Sequence, residues 1–306
     1  MTEEISNQTL DLPRFASQLR GKHIPRLDRS SLVFAGSGDS YATAVFAQEL
    51  SHGEAIAWDP YELLANIQRV RGKNLIIVSV SGRTRTNIKL ARKARGIAAK
   101  RIAITANQES PLARECDETL QLWYRNAGIL TSGTASFTTS LLACVSLLGN
   151  LPRIVQAKAN LTEIASLAAN LRRTTGSFLF TGSGVSYALS IYGAAKINEV
   201  LGTKAESIYP EELGHAKLFT IDKKRDVIVC ISSGRDKAME AHELLREHGF
   251  RSSILVLPKG HLVNSSLKIA IHLQRLALSL AKRKRIKECA FLTDKKRLKL
   301  SNRMIY

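Results

Sequence analysis

The chain has 306 residues, 44% of them apolar, with a formal charge of +19 and a sequence pI near 10.0. That length allows two domains of about 150 residues or one large one, with a sizeable core either way. No run approaches the roughly 18 apolar residues a membrane span requires, and the four scattered cysteines (Cys116, Cys144, Cys230, Cys289) form no disulfide framework or zinc motif.

Residues 1–30 are polar and acidic at the start, unlike a secretory leader. A short helix is predicted near Leu10–Leu19, then a connector containing Gly21 and Pro25. In the first half, strands are predicted at 31–35, 54–58, 75–79, 101–105 and 119–122. Helices are predicted at 41–51, 60–70, 84–96, 110–115 and 134–150, the last reading as buried. The halves join around Leu151-Pro152 and a helix at 155–173. In the second half, strands are predicted at 177–181, 205–208, 226–231 and 252–257, with helices from Ala188 and over 266–285. Strands alternating with helices imply βαβ units and parallel sheets.

The halves repeat each other. Phe34-Ala-Gly-Ser-Gly-Asp-Ser-Tyr-Ala42 returns 146 residues later as Phe180-Thr-Gly-Ser-Gly-Val-Ser-Tyr-Ala188. Leu75-Ile-Ile-Val-Ser-Val-Ser-Gly-Arg83 is echoed by Asp226-Val-Ile-Val-Cys-Ile-Ser-Ser-Gly-Arg235. Two landmarks in the same order argue for internal duplication.

A Gly/Ser turn from strand to helix presents backbone N–H groups at a positive helix end, which suits an anion. The dinucleotide fingerprint G-x-G-x-x-G fails, because Tyr41 and Tyr187 stand where the third glycine belongs. Ser79, Ser81 and Thr84 crowd one helix start around Gly82. An N-cap accounts for one such hydroxyl and poorly for three; hydroxyls and free amides together can surround a phosphomonoester without a metal. Thr131–Thr139 is a second hydroxyl-rich helix start. Together they point to a sugar phosphate.

Lys196 and Glu199 share a helix face ahead of Gly202, and Pro210 opens a short helix carrying Glu211, Glu212 and His215. The set reads either as an acid–base group or as a surface ion pair beside an incidental histidine. The basic residues are spread along the chain, denser at Lys282–Arg285 and Lys295–Arg297, with no nucleic-acid-binding motif. A basic surface suited to anionic small molecules is the simpler reading.

These motifs resemble the tandem sugar-isomerase (SIS) domain family, closest to the isomerase half of glucosamine-6-phosphate synthase and to archaeal-type glucosamine-6-phosphate deaminases. Ser37–Tyr41 resembles C-G-T-S-Y, Ser79–Thr84 the phosphate loop S-Q-S-G-E-T, and Thr131–Thr139 V-A-S-T-K-A-F-T-T. Ala195–Lys217 resembles the catalytic stretch ending E-L-K-H-G-P-L-A-L-I-D. The chain departs from the pattern at Val80, at Arg83 and at Ala216-Lys217, and the segment from Lys295 to Tyr306 aligns poorly.

The resemblance implies an α/β fold of two tandem SIS domains (31–152 and 153–306, after an N-terminal segment 1–30), each a doubly wound, flavodoxin-like parallel sheet flanked by helices. It implies Lys196, Glu199 and His215 as catalytic, with Ser40, Gly38, Ser79, Ser81, Thr84, Thr134 and Lys299 binding substrate. It further implies a cytoplasmic homodimer whose active site takes His215 from the partner, with no metal or cofactor. The expected reaction is aldose–ketose chemistry on a hexose 6-phosphate, foremost glucosamine 6-phosphate to fructose 6-phosphate and ammonia. Phosphoglucose or phosphomannose isomerisation and a non-catalytic sugar-phosphate-binding module are the alternatives. A glutaminase domain with its N-terminal cysteine is not expected in this chain.

Overall fold

The computed structural model describes residues 1–21, 27–149, 151–155, 161–171 and 174–306. Part of the predicted connector, residues 22–26, and the ends of the predicted helix at 155–173 lie outside the described residues.

The chain opens on α1 (Thr2–Gly21) and then alternates: β1 (Leu32–Ala35), α2 (Asp39–Leu50), β2 (Ile56–Trp58), α3 (Pro60–Ala65), β3 (Asn74–Val78), α4 (Arg85–Lys93), β4 (Lys100–Thr105), α5 (Pro111–Glu115) and β5 (Glu118–Gln121). Two helices follow, α6 (Ala135–Leu147) and α7 (Leu161–Leu171). The pattern resumes with β6 (Phe178–Gly182), α8 (Val185–Leu201), β7 (Ala205–Ile208), α9 (Pro210–His215), β8 (Val227–Ser232), α10 (Lys237–Glu247), β9 (Ser252–Val256) and α11 (Leu262–Arg283). Short α12 (Ala290–Thr293) and basic α13 (Lys295–Ile305) complete it.

Two parallel sheets result, in the orders β2-β1-β3-β4-β5 and β7-β6-β8-β9. Helices cover both faces of such a sheet, so its inner strands read as unbroken apolar runs; Leu32–Ala35 and Leu75–Val78 are buried at every position. On one face of the first sheet, Val33, Leu75, Ile77 and Ala103 pack with Leu63, Leu90 and Leu112 of α3, α4 and α5. In the second, Leu179, Ile228 and Cys230 pack with Leu213, Ala238 and Leu245 of α9 and α10.

The described backbone falls into two compact units. The β1–β5 unit comprises Asn7–Asn126, Ala135–Gln156 and Lys296–Tyr306; the β6–β9 unit comprises Met1–Ser6, Ala127–Thr134 and Ala157–Lys295.

The repeated Gly-Ser-Gly turns have a steric basis. Gly38 and Gly184 cap α2 and α8 at φ +59° and +56°, a region that side chains rarely adopt. A Cβ on Gly36 would lie 2.5 Å from the Ser40 carbonyl oxygen, and one on Gly182 would lie 2.8 Å from that of Ser186.

Several elements differ from expectation. α1 runs well beyond Leu10–Leu19, because its buried face is partly polar and so invisible to hydropathy. Gln8 accepts the Thr138 hydroxyl at 2.7 Å, and the Asp11 carboxylate takes Arg125 Nε at 2.7 Å and its backbone N–H at 3.0 Å. The predicted helix at 60–70 breaks at Asn66, whose side chain donates back to the Glu62 carbonyl; a 3-10 turn, Ile67–Val70, follows. α10 and α13 were not anticipated, α13 having no buried residue to give it a core-facing pattern.

Candidate functional site

The first cluster belongs to the β1–β5 unit. In the order β2-β1-β3-β4-β5 the direction of winding reverses between β1 and β3, so the loops leaving their carboxyl ends flank a crevice where doubly wound folds take ligands. Those loops are Gly36–Ser40 and Ser79–Thr84, so the predicted residues Gly38, Ser40, Ser79, Ser81 and Thr84 follow the carboxyl ends of two neighbouring parallel strands.

The second loop is tightly anchored. The Ser79 amide continues the ladder to Ile104 at 2.9 Å, and Gly82 donates to Ser79 and accepts from Leu112, each at 3.0 Å. Gly82 has φ +62°, and a Cβ there would lie 2.2 Å from Ser110 Oγ. Thr84 caps α4 without a side-chain hydrogen bond to the helix end, so the first-turn N–H groups have no capping acceptor from it. Hydroxyls beside an uncapped, positive helix end are the features that suit an anion.

The second cluster belongs to the β6–β9 unit. Gly202, left-handed at φ +62°, closes α8 as predicted. Lys196 Nζ donates to Glu199 Oε2 at 2.6 Å, Ser132 Oγ at 2.7 Å and the Gly133 carbonyl at 3.2 Å. Three acceptors match its three donors, which a fully buried ammonium requires. Ser132 Oγ also donates to Glu199 Oε2 at 2.6 Å, and the Lys196 ammonium lies 5.0 Å from the Tyr192 ring centre. Lys196 has no exposed side-chain surface and Glu199 keeps 38%, so this is not the surface ion pair that spacing alone allowed. Two donors fix Oε2, and Oε1 is the oxygen left to act on a ligand.

Ser132 was missed. The signal was present in the hydroxyl-rich stretch from Thr131 to Thr139, where Thr134 was expected to bind substrate. Thr134 is instead fully buried, and its hydroxyl donates to Glu4 Oε2 at 2.6 Å. Sequence shows a row of hydroxyls but not which one turns towards Lys196.

The structure does not join His215 to this cluster. Its side chain is 73% exposed, its Nε2 lies 3.7 Å from Glu211 Oε1, and it lines a cavity of about 540 Å³ with Leu213, Leu244, Leu245 and Phe250. Lys299 is exposed on α13, in the β1–β5 unit. Thiol chemistry is disfavoured at three cysteines: burial pushes the Cys116, Cys144 and Cys230 thiols up to about 12. Among the described residues, no helix is long and apolar enough to cross a membrane.

Residues 27–148 match the sequence model of the SIS domain family. A glutamine–fructose-6-phosphate aminotransferase (isomerizing) of Sulfurisphaera tokodaii is 28% identical over 218 residues, covering 65% of this chain and 36% of that protein. The chain thus spans about a third of the length of such curated relatives. The C-terminal domain of glucosamine-fructose-6-phosphate aminotransferase from Francisella tularensis superposes with a TM-score of 0.72 at 20% identity, over 94% of this chain and 97% of that one. Glucosamine-6-phosphate deaminase from Thermotoga maritima gives 0.70 at 19% identity, over 92% and 94%. Residues 27–148 are therefore similar to the SIS domain family, and the α/β fold of two helix-flanked parallel sheets is that of these structures.

Proposed function

We propose that the protein is a sugar-phosphate aldose–ketose enzyme that converts glucosamine 6-phosphate to fructose 6-phosphate and ammonia. The observation that carries this reading is the cluster of buried Lys196 and partly exposed Glu199 on α8 with Ser132 from the segment before α6. The names of the relatives supply the substrate class, and the hydroxyl loop Ser79–Thr84 suits the phosphate.

In this reading Glu199 moves a proton between C2 and C1. A carboxylate reaches both carbons from one face of the open-chain sugar, and Oε1 is the oxygen its neighbours leave for this. Lys196 and Ser132 hold Oε2, orient the carboxylate and offset charge that develops on the enolamine. Lys196 acts electrostatically, because its three donors are already engaged. Proton transfer turns the aldose amine into a ketose imine; water adds, and ammonia leaves with fructose 6-phosphate. The exposed His215 assists ring opening from the partner of a homodimer, and Lys299 meets the open-chain sugar.

The test is an ammonia-release assay on glucosamine 6-phosphate, with Glu199→Gln as control. Removing the base lowers turnover by about a thousandfold or more while sugar-phosphate binding persists. Retained turnover in Glu199→Gln sinks the assignment of the base. Isomerisation of glucose 6-phosphate or mannose 6-phosphate by the parent, without ammonia from the amino sugar, replaces the deaminase with a plain isomerase.

A further inference from the structure

We infer that Arg83 and Arg85 form a two-guanidinium clamp on the phosphate in the Ser79–Thr84 loop, held in place by residues 303–306. The inference rests on the sugar-phosphate reading above and names the residues that give that site its charge.

Arg83 and Arg85 stand on either side of Thr84, and both are exposed. Among the described residues, neither guanidinium has a carboxylate partner. Each is nevertheless held. Arg85 Nη2 donates to the Arg303 carbonyl, and the Arg83 guanidinium carbon lies 5.5 Å from the centre of the Tyr306 ring. A carbonyl and a ring face position a cation without neutralising it, and they leave most of its five N–H donors for another acceptor.

The duplicated loop shows what this arrangement lacks. There the order is Arg235-Asp236-Lys237, again cation, helix cap, cation. The cap is a carboxylate, held by the Ser233 amide at 2.7 Å, the Ser232 hydroxyl at 2.8 Å, the Ser233 hydroxyl at 2.9 Å and the Met239 amide at 3.0 Å. In Arg83-Thr84-Arg85 the cations remain and the anion is gone. A phosphate dianion supplies the missing charge, and the fork of each guanidinium matches its oxygens. The family pattern S-Q-S-G-E-T has an acid at the position of Arg83, so this chain reverses the charge there. Tyr306 and Arg303 are positioning residues.

The test is calorimetric titration with fructose 6-phosphate and with inorganic phosphate, at low and high salt. Arg83→Gln and Arg85→Gln each weaken fructose 6-phosphate binding roughly three- to tenfold, and the double variant compounds the loss. The double variant also flattens the salt dependence, and Lys at both positions restores much of it. Tyr306→Ala shifts affinity by about two- to threefold through Arg83 alone, with no further effect in the Arg83→Gln background. Unchanged affinity and salt dependence in the double Gln variant, with a parent that binds and turns over, overturns the clamp and leaves the proposed function standing. A parent that binds neither fructose 6-phosphate nor any other hexose phosphate overturns both.

Discussion

The two Ser-Gly-Arg loops share a sequence pattern and differ, among other positions, at the residue that caps the following helix. In the β6–β9 unit the helix cap is Asp236. Burial pushes its carboxyl up, but the Ser233 and Met239 amides and the Ser232 and Ser233 hydroxyls together hold it below the ordinary 3.8. That loop is closed by its own anion. In the β1–β5 unit the cap is Thr84, which makes no such bond and leaves the helix end without a side-chain acceptor. Asp236 in place of Thr84, with Ser232 in place of Val80, thus separates a self-satisfied turn from one whose helix end has no side-chain cap. A repeated motif predicts a turn, and the residue at its cap decides whether the helix end is satisfied from within the loop.

Substitutions can break or sharpen this contrast. The largest effect on stability is expected at Gly82. An Ala there takes a strained φ and collides with Ser110, at a cost of about 2–5 kcal/mol. Gly234, with φ +135° and nothing within 4 Å of its Cβ position, costs only the backbone strain, about 1–3 kcal/mol. Thermal unfolding of the two Ala variants measures the difference.

Next comes the cap itself. Asp236→Ala loses a helix cap and is expected to destabilise by about 1–2 kcal/mol, whereas Thr84→Ala stays within about 0.5 kcal/mol and instead weakens sugar-phosphate binding. Equal losses at both positions would erase the distinction between a closed and an open loop.

The smallest effect is in pH. A carboxyl whose folded value lies below 3.8 contributes its full stabilisation above that pH and loses it as the pH falls through the folded value. The advantage of the parent over Asp236→Asn in denaturant unfolding is therefore constant from neutrality down to about pH 4 and shrinks below it. Thr84→Ala shows no matching acid dependence.

Much of this was legible beforehand. Parallel strands covered on both faces leave unbroken apolar runs, so β1, β3, β6 and β8 stood out. The Gly-Ser-Gly turns, the closing Gly202 and the short helix after Pro210 follow from local sterics. The i, i+3 spacing of Lys196 and Glu199 announced their pairing. What stayed hidden was burial and partnership. α1 conceals its inward face because Gln8 and Asp11 are paired polar groups. Of the hydroxyls between Thr131 and Thr139, only the fold shows that Ser132 meets Lys196 and Glu199, while Thr134 serves Glu4.

By itself the sequence determined the succession of strands and helices, the internal repeat and the two sets of chemically able residues, since these depend on backbone sterics and on spacing along one helix. The tertiary structure decided which residues keep company. Ser132 comes 64 positions before Lys196, yet their side chains lie 2.7 Å apart. The ammonium is wholly buried, and a buried charge persists only where acceptors from distant parts of the chain converge on it.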